Sequence, residues 1–185
     1  MNVLIFGYRG YGRSEGTPSE KGLYLDGEAI ARYAFEDLHV MKYIDKNNVF
    51  IFGRSLGGAI ASHVAVTCNL PFKGIIIENT FSELGKLVDV MFPFLKYIRK
   101  YVLKYKFETS KIIGKIKYPV LFCQSQFDEL IPKEQMEELF KNCNSAKFKE
   151  YYVIKYGNHN EGFNNDKEGY KEALVKFMER CKGNI

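Results

Sequence analysis

Gly53-Arg54-Ser55-Leu56-Gly57 has the form G-x-S-x-G, between an apolar run from Asn48 to Phe52 and a helical pattern from about Leu56 to Cys68. A strand-to-helix reversal of this kind presents a serine hydroxyl at the tip of a sharp turn. The crowded backbone calls for Gly53 and Gly57 where a Cβ would clash, and Gly58 for close packing of the new helix. The helix points its N-terminus at the serine, which favours developing negative charge. Ser55 is therefore the candidate nucleophile and the Leu56 N–H a candidate oxyanion donor. The competing reading is an ordinary Gly-rich turn. A serine hydroxyl needs a base to take its proton. There are three histidines. His39 falls before the serine in a helical stretch. His63 falls about two turns after it in the next helix, as a packing or surface residue. His159 lies in Tyr156-Gly157-Asn158-His159-Asn160, a Gly/Asn-rich loop past an apolar run, and it alone fits the chain order Ser, Asp/Glu, His. The acid that orients the imidazole is expected at Asp128, just past the run Val120 to Cys123. Glu129 is its rival, should the loop be shifted by one residue. Asp89 and Asp166 follow no strand.

Elements that could position these residues alternate along the chain. Short apolar runs predict strands at Asn2 to Phe6, Asn48 to Phe52, Lys73 to Glu78, Pro119 to Gln124 and Glu150 to Lys155. Thr17-Pro18-Ser19-Glu20 reads as a helix start, with Thr17 as N-cap, Pro18 at the first position and Glu20 as capping-box partner. Ile30, Tyr33, Ala34, Leu38, Met41 and Ile44 recur after it at helical spacing. Further helices are predicted at Leu56 to Cys68, Lys133 to Asn142 and Gly169 to Arg180. Such alternation implies an α/β fold, with a mostly parallel sheet and helices on both faces. Functional residues of such sheets gather at the carboxyl ends of the strands, where all three candidates fall.

Bulk properties narrow the classes. The chain has 185 residues and a net charge of +5. Its length favours one domain, 1–185. The basic excess fits a solvated lysine-rich surface, and no nucleic-acid partner is expected from it. Four cysteines form no CxxC pair and no zinc-like spacing, so no metal is expected. They read as reduced thiols of an intracellular protein, cytoplasmic or peripherally bound to a membrane. No apolar run reaches the roughly 20 residues of a membrane span.

Tyr8-Arg9-Gly10-Tyr11-Gly12 with Ser14 and Gly16, then Pro18-Ser19-Glu20 and Gly22-Leu23-Tyr24-Leu25-Asp26, resemble the Bem46-like branch of the α/β hydrolases. That branch includes α/β-hydrolase domain-containing protein 13. Gly53 to Ala59, Glu78-Asn79-Thr80-Phe81 and Gly157-Asn158-His159-Asn160 match it too, so the resemblance covers nearly the whole chain. It implies the α/β-hydrolase fold and the Ser55, Asp128, His159 triad. Two departures stand out. Gly7 replaces the usual Asp before Tyr-Arg-Gly, and the chain opens at what resembles the fourth strand of the fold. The expectation is of an N-terminally truncated domain that lacks one oxyanion donor and turns over poorly, unless the loop Gly7 to Gly12 supplies that N–H.

The expected chemistry is hydrolysis of a carboxylic ester or acyl-thioester through an acyl-enzyme, on a small-molecule or lipid-like acyl substrate and without cofactor. Esterase, thioesterase or lipase-like activity is implied only by the resemblance. A peptidase of the same fold and a non-catalytic scaffold are the alternatives. Residues 81–118 are expected to form a cap over the site. From Pro93 this segment reads as an amphipathic helix, with Leu95, Ile98 and Val102 on one face and Lys96, Lys100 and Lys104 on another. That pattern fits either a lid in peripheral membrane contact through 93–106 or a helix packed on the domain.

Overall fold

The computed structural model describes residues 1–97, 101 and 103–183. Four strands, β1 (Phe50–Arg54), β2 (Gly74–Glu78), β3 (Val120–Ser125) and β4 (Lys149–Ile154), pair in parallel in the order β1-β2-β3-β4. Ile77 lies opposite both Gly53 and Phe122, and Cys123 opposite Tyr152. The central strands read as unbroken apolar runs because both of their faces are covered. Ile75, Ile77, Val120 and Phe122 face one core. Helices α1 (Glu20–Glu36), α2 (Leu56–Thr67) and α5 (Lys133–Asn142) contribute Leu23, Ile60 and Met136 to it. Ile76, Leu121 and Cys123 alternate to the other face, where α7 (Lys167–Lys182) packs Tyr170 and Phe177. Between β2 and β3 lie α3 (Leu84–Met91) and the short α4 (Thr109–Ile112); α6 (Gly162–Asn165) precedes α7.

Four sequence expectations need correction. The run Asn2–Phe6 is not a strand: it has no ladder partner among the described residues, and Val3, Leu4 and Ile5 are exposed. An apolar run becomes a strand only when a neighbouring backbone is there to pair with it. Helix α1 starts two residues later than expected. Ser19, not Thr17, is the N-cap, and its Oγ accepts from Gly22 N at 3.1 Å. Glu20 reaches out of its own helix, accepting from the N–H groups of Lys106 (2.8 Å) and Phe107 (2.9 Å). The same helix stops at Glu36 because the Asp37 carboxylate takes the N–H groups of His39 and Val40, a local alternative to continued helix. Leu38, Met41 and Ile44 thus lie beyond it. In the region predicted as an amphipathic helix, Pro93–Leu95 is a single 3-10 turn. Ile98, Lys100 and Val102 of that pattern lie outside the described residues.

Candidate active site

Ser55 sits where β1 turns into α2, with backbone φ of 54° and ψ of −122°. Holding a non-glycine residue in this region costs on the order of 1–3 kcal/mol, tolerated when the surroundings over-determine it. They do here. A Cβ on Gly53 would stand 2.3 Å from Gly57 O and 2.8 Å from the Ala61 Cβ. One on Gly58 would stand 1.8 Å from Thr80 Oγ1. Gly57 departs from expectation: the nearest atom to a Cβ there is Tyr8 Oη at 4.0 Å, so its carbonyl does the crowding and its own side is open. The Ser55 N–H is held by Glu78 O at 2.9 Å. Its side chain makes no capping bond to α2, so the hydroxyl is not spent on the helix it precedes.

His159 and Asp128 are brought together. The imidazole Nδ1 lies 2.9 Å from Asp128 Oδ2 and 3.0 Å from Oδ1, with side chains only 6% and 1% exposed. Asp128 Oδ1 also accepts from the N–H groups of Leu130 and Ile131 at 2.9 and 2.8 Å, which fixes the carboxylate plane against the ring. Glu129 occupies a different place: its Oε2 accepts from the His159 backbone N–H at 3.0 Å. The His159 carbonyl is held in turn by Arg54 Nη1 at 2.6 Å and Asn79 Nδ2 at 3.3 Å.

Those last two contacts involve residues that the sequence showed inside its motifs without assigning them a role. Arg54 also reaches Asn160 Oδ1 at 3.2 Å. It therefore ties the residue preceding Ser55 to the His159 loop. Asn79 is fully buried at the end of β2 with φ of 45°, a conformation asparagine tolerates better than most residues. It donates to Ser125 Oγ at 2.9 Å and accepts from Ser125 N at 2.8 Å. The available signal was a polar Glu78-Asn79-Thr80 string closing a fully apolar strand. Beside it the Glu78 carboxyl accepts from the Tyr170 hydroxyl. Burial pushes its pKa above the ordinary carboxylate value, partly offset by the Tyr170 hydrogen bond and the Arg54 charge. His63 lies elsewhere, with Nε2 2.7 Å from Glu28 Oε1 and its ring stacked on Tyr24 at 4.0 Å.

Three N–H groups of the loop Gly7–Gly12 are held within the protein. The N–H of Arg9 goes to Asp26, that of Gly10 to Ser14 O and Glu15 O, and that of Tyr11 to Tyr8 O. The Arg9 guanidinium lies 2.7 Å from Asp26 Oδ1 and holds that carboxyl below its usual pKa. No group of His, Cys, Asp and Glu suited to a metal occurs among the described residues. No helix described is long and apolar enough to cross a membrane.

The chain is similar to several known proteins. The Prolyl oligopeptidase family (Peptidase_S9) matches residues 31–184. Protein bem46 of Schizosaccharomyces pombe is 34% identical over 179 residues, covering 96% of this chain and 58% of that protein. The alpha/beta hydrolase domain-containing protein WAV2 of Arabidopsis thaliana is 32% identical over 194 residues, covering 97% of this chain and 61% of WAV2. The uncharacterized membrane protein YNL320W of Saccharomyces cerevisiae is 35% identical, with 96% of this chain and 61% of that protein covered. The chain thus spans about 60% of the length of these relatives. Among solved structures, an alpha-beta hydrolase from Vibrio vulnificus superposes with a TM-score of 0.71 at 25% identity, covering 92% of this chain and 61% of that one. The Pyrococcus furiosus esterase Pf2001 gives 0.72 at 16% identity over 94% of this chain and 68% of that one, a likeness of fold.

Proposed function

This chain belongs to the prolyl oligopeptidase family and, within the α/β hydrolases, to the Bem46-like branch, and on that premise we propose that it is a serine hydrolase cleaving carboxylic esters or acyl-thioesters. Ser55 Oγ attacks the acyl carbon, His159 takes its proton through Nε2, and Asp128 holds the imidazole with Nδ1 protonated. The Leu56 N–H, at the positive end of α2, faces the oxyanion. His159 gives that proton to the leaving alcohol or thiol; a water then loses a proton to His159 and attacks the acyl carbon, releasing the carboxylic acid and returning the proton to Ser55 Oγ. The observation that carries this reading is the buried Asp128–His159 pair at 2.9 Å, whose His159 carbonyl is held by Arg54, the residue preceding Ser55.

The family match favours a second reading, hydrolysis of peptide amides by the same residues. A panel of p-nitrophenyl esters, acyl-thioesters and peptide amides separates the two by relative kcat/KM.

Labelling with a fluorophosphonate probe tests the site itself. Ser55→Ala should abolish labelling and leave thermal unfolding essentially intact. His159→Ala should slow turnover on the order of 10⁴–10⁶-fold, since triad members act as a unit. His63→Ala should leave labelling unchanged, because its ring is engaged with Glu28 and Tyr24. Labelling that survives in Ser55→Ala, or that is lost equally in His63→Ala, overturns the assignment. A folded chain that never labels supports a non-catalytic scaffold instead.

A further inference from the structure

Every residue of β2 is buried, and the strand nevertheless closes on a carboxyl, Glu78, only 7% exposed. Ile76, two residues earlier, and Cys123, its register partner on β3, face the core under α7. Strand side chains alternate between faces, so the Glu78 side chain enters that same core. There it accepts from the Tyr170 hydroxyl. Tyr170 is itself fixed: its ring stacks on Tyr152 at 6.4 Å and meets Phe163 edge-on at 6.2 Å. The Cys123 thiol beside it is kept neutral by burial and by the Glu78 charge. Burying an acid among apolar neighbours costs free energy that an apolar side chain would not. Packing alone gives no reason for an acid here.

The neighbour on the other side supplies one. Arg54 is the register partner of Glu78 across β1 and β2, so both side chains leave the same face of the sheet. Arg54 is exposed, and a long cation in solvent has many rotamers to lose. In the one it adopts, Nη1 meets the His159 carbonyl at 2.6 Å. An anion fixed beside the guanidinium favours that rotamer over the others. Burial raises the Glu78 pKa; the Tyr170 hydrogen bond and the Arg54 and His159 charges oppose this, and Asp128 adds to it.

We propose that Glu78, fixed by Tyr170, is a positioning residue for the base, holding the Arg54 guanidinium against the His159 carbonyl. It touches no substrate and acts through Arg54. Its effect on rate rests on the hydrolase reading; its effect on the His159 loop does not.

Glu78→Gln, studied at pH 8, tests this by two readouts. Amides of residues 156–161 should exchange with deuterium about fivefold faster than in the parent, although Tm is unchanged or higher. For p-nitrophenyl acetate kcat should fall about fivefold with KM unchanged, a loss comparable to that of Arg54→Met. Combined with Arg54→Met, Glu78→Gln should add little to either readout, because the two residues act through one contact. Tyr170→Phe should loosen the same amides less, and it decides if Glu78→Gln does not fold. A parent chain without turnover removes the hydrolase reading, and exchange alone then decides this one. Exchange over 156–161 within twofold of the parent overturns the proposal. So does a double variant whose loss is the product of the two single losses. Faster exchange across the whole sheet with a lowered Tm marks a merely structural role and overturns it too.

Discussion

Arg54 separates a positioned histidine from an incidental one. Arg54→Met removes the 2.6 Å bond to the His159 carbonyl and the 3.2 Å bond to Asn160. Hydrogen bonds from charged groups contribute roughly 1.5–3 kcal/mol net. Arg54 is exposed, so solvent screening reduces this to about 1 kcal/mol. Asn79 still holds the carbonyl at 3.3 Å, so the His159 loop loosens rather than detaches. At 1.36 kcal/mol per decade, the expected loss is roughly fivefold to tenfold in rate. It should fall on kcat, with KM unchanged, because the guanidinium holds the base and not the substrate. Arg54→Lys keeps a charge and a donor and should recover most of the rate. The assays are pseudo-first-order fluorophosphonate acylation and p-nitrophenyl acetate turnover, with Tm expected to move by no more than about 2–4 °C. A rate within twofold of the parent refutes the positioning role. So does an equal loss in Arg54→Met and Arg54→Lys that tracks a loss of fold.

Two stability predictions follow from the same neighbourhood. Glu78 has its folded pKa raised by burial, so its contribution is greatest below the ordinary carboxylate range and is lost as pH rises through the raised value. Glu78→Gln should therefore raise Tm near pH 8 and leave it unchanged near pH 4, within the linkage of a single group; a lower Tm at the higher pH contradicts the burial argument. Gly58→Ala should cost about 1–3 kcal/mol by overpacking against Thr80, whereas Gly57→Ala, with open space on its side, should gain about 0.5–1 kcal/mol of helix stability. Urea denaturation of the two variants gives the order, and a reversed order contradicts the contact geometry.

The sheet was largely legible because β2 and β3 are buried on both faces and read as unbroken apolar runs, located in the sequence to within a residue of their observed ends. The same signal failed at Asn2–Phe6, where apolarity is present but no backbone among the described residues pairs with it. The end of α1 was missed for a local reason: the Asp37 side chain bonds two N–H groups ahead of it, and a periodicity argument does not weigh that competition. Ser55 could be found because an elbow is a contiguous pattern. The sequence favoured Asp128 over its neighbour Glu129 by position alone; the contact to the ring depends on the turn Asp128 builds with Leu130 and Ile131, which adjacent letters do not specify. Arg54 lies 105 positions from His159, and although β1 and β4 are the outer strands of the described sheet, the loop after β4 brings the two together.

His159 is consequently fixed at three points by three parts of the sheet. The loop after β3 supplies Asp128 to its ring and Glu129 to its N–H. The ends of β1 and β2 supply Arg54 and Asn79 to its carbonyl. Because strand side chains alternate with a period of two, a one-residue slip of β1 or β2 would turn its anchoring residue to the opposite face. The position of the proposed base is thereby tied to the register of the parallel sheet, and the residues that hold it need not themselves touch substrate. Substitutions that loosen the β1–β2 pairing should reach turnover through this linkage even where they lie far from Ser55.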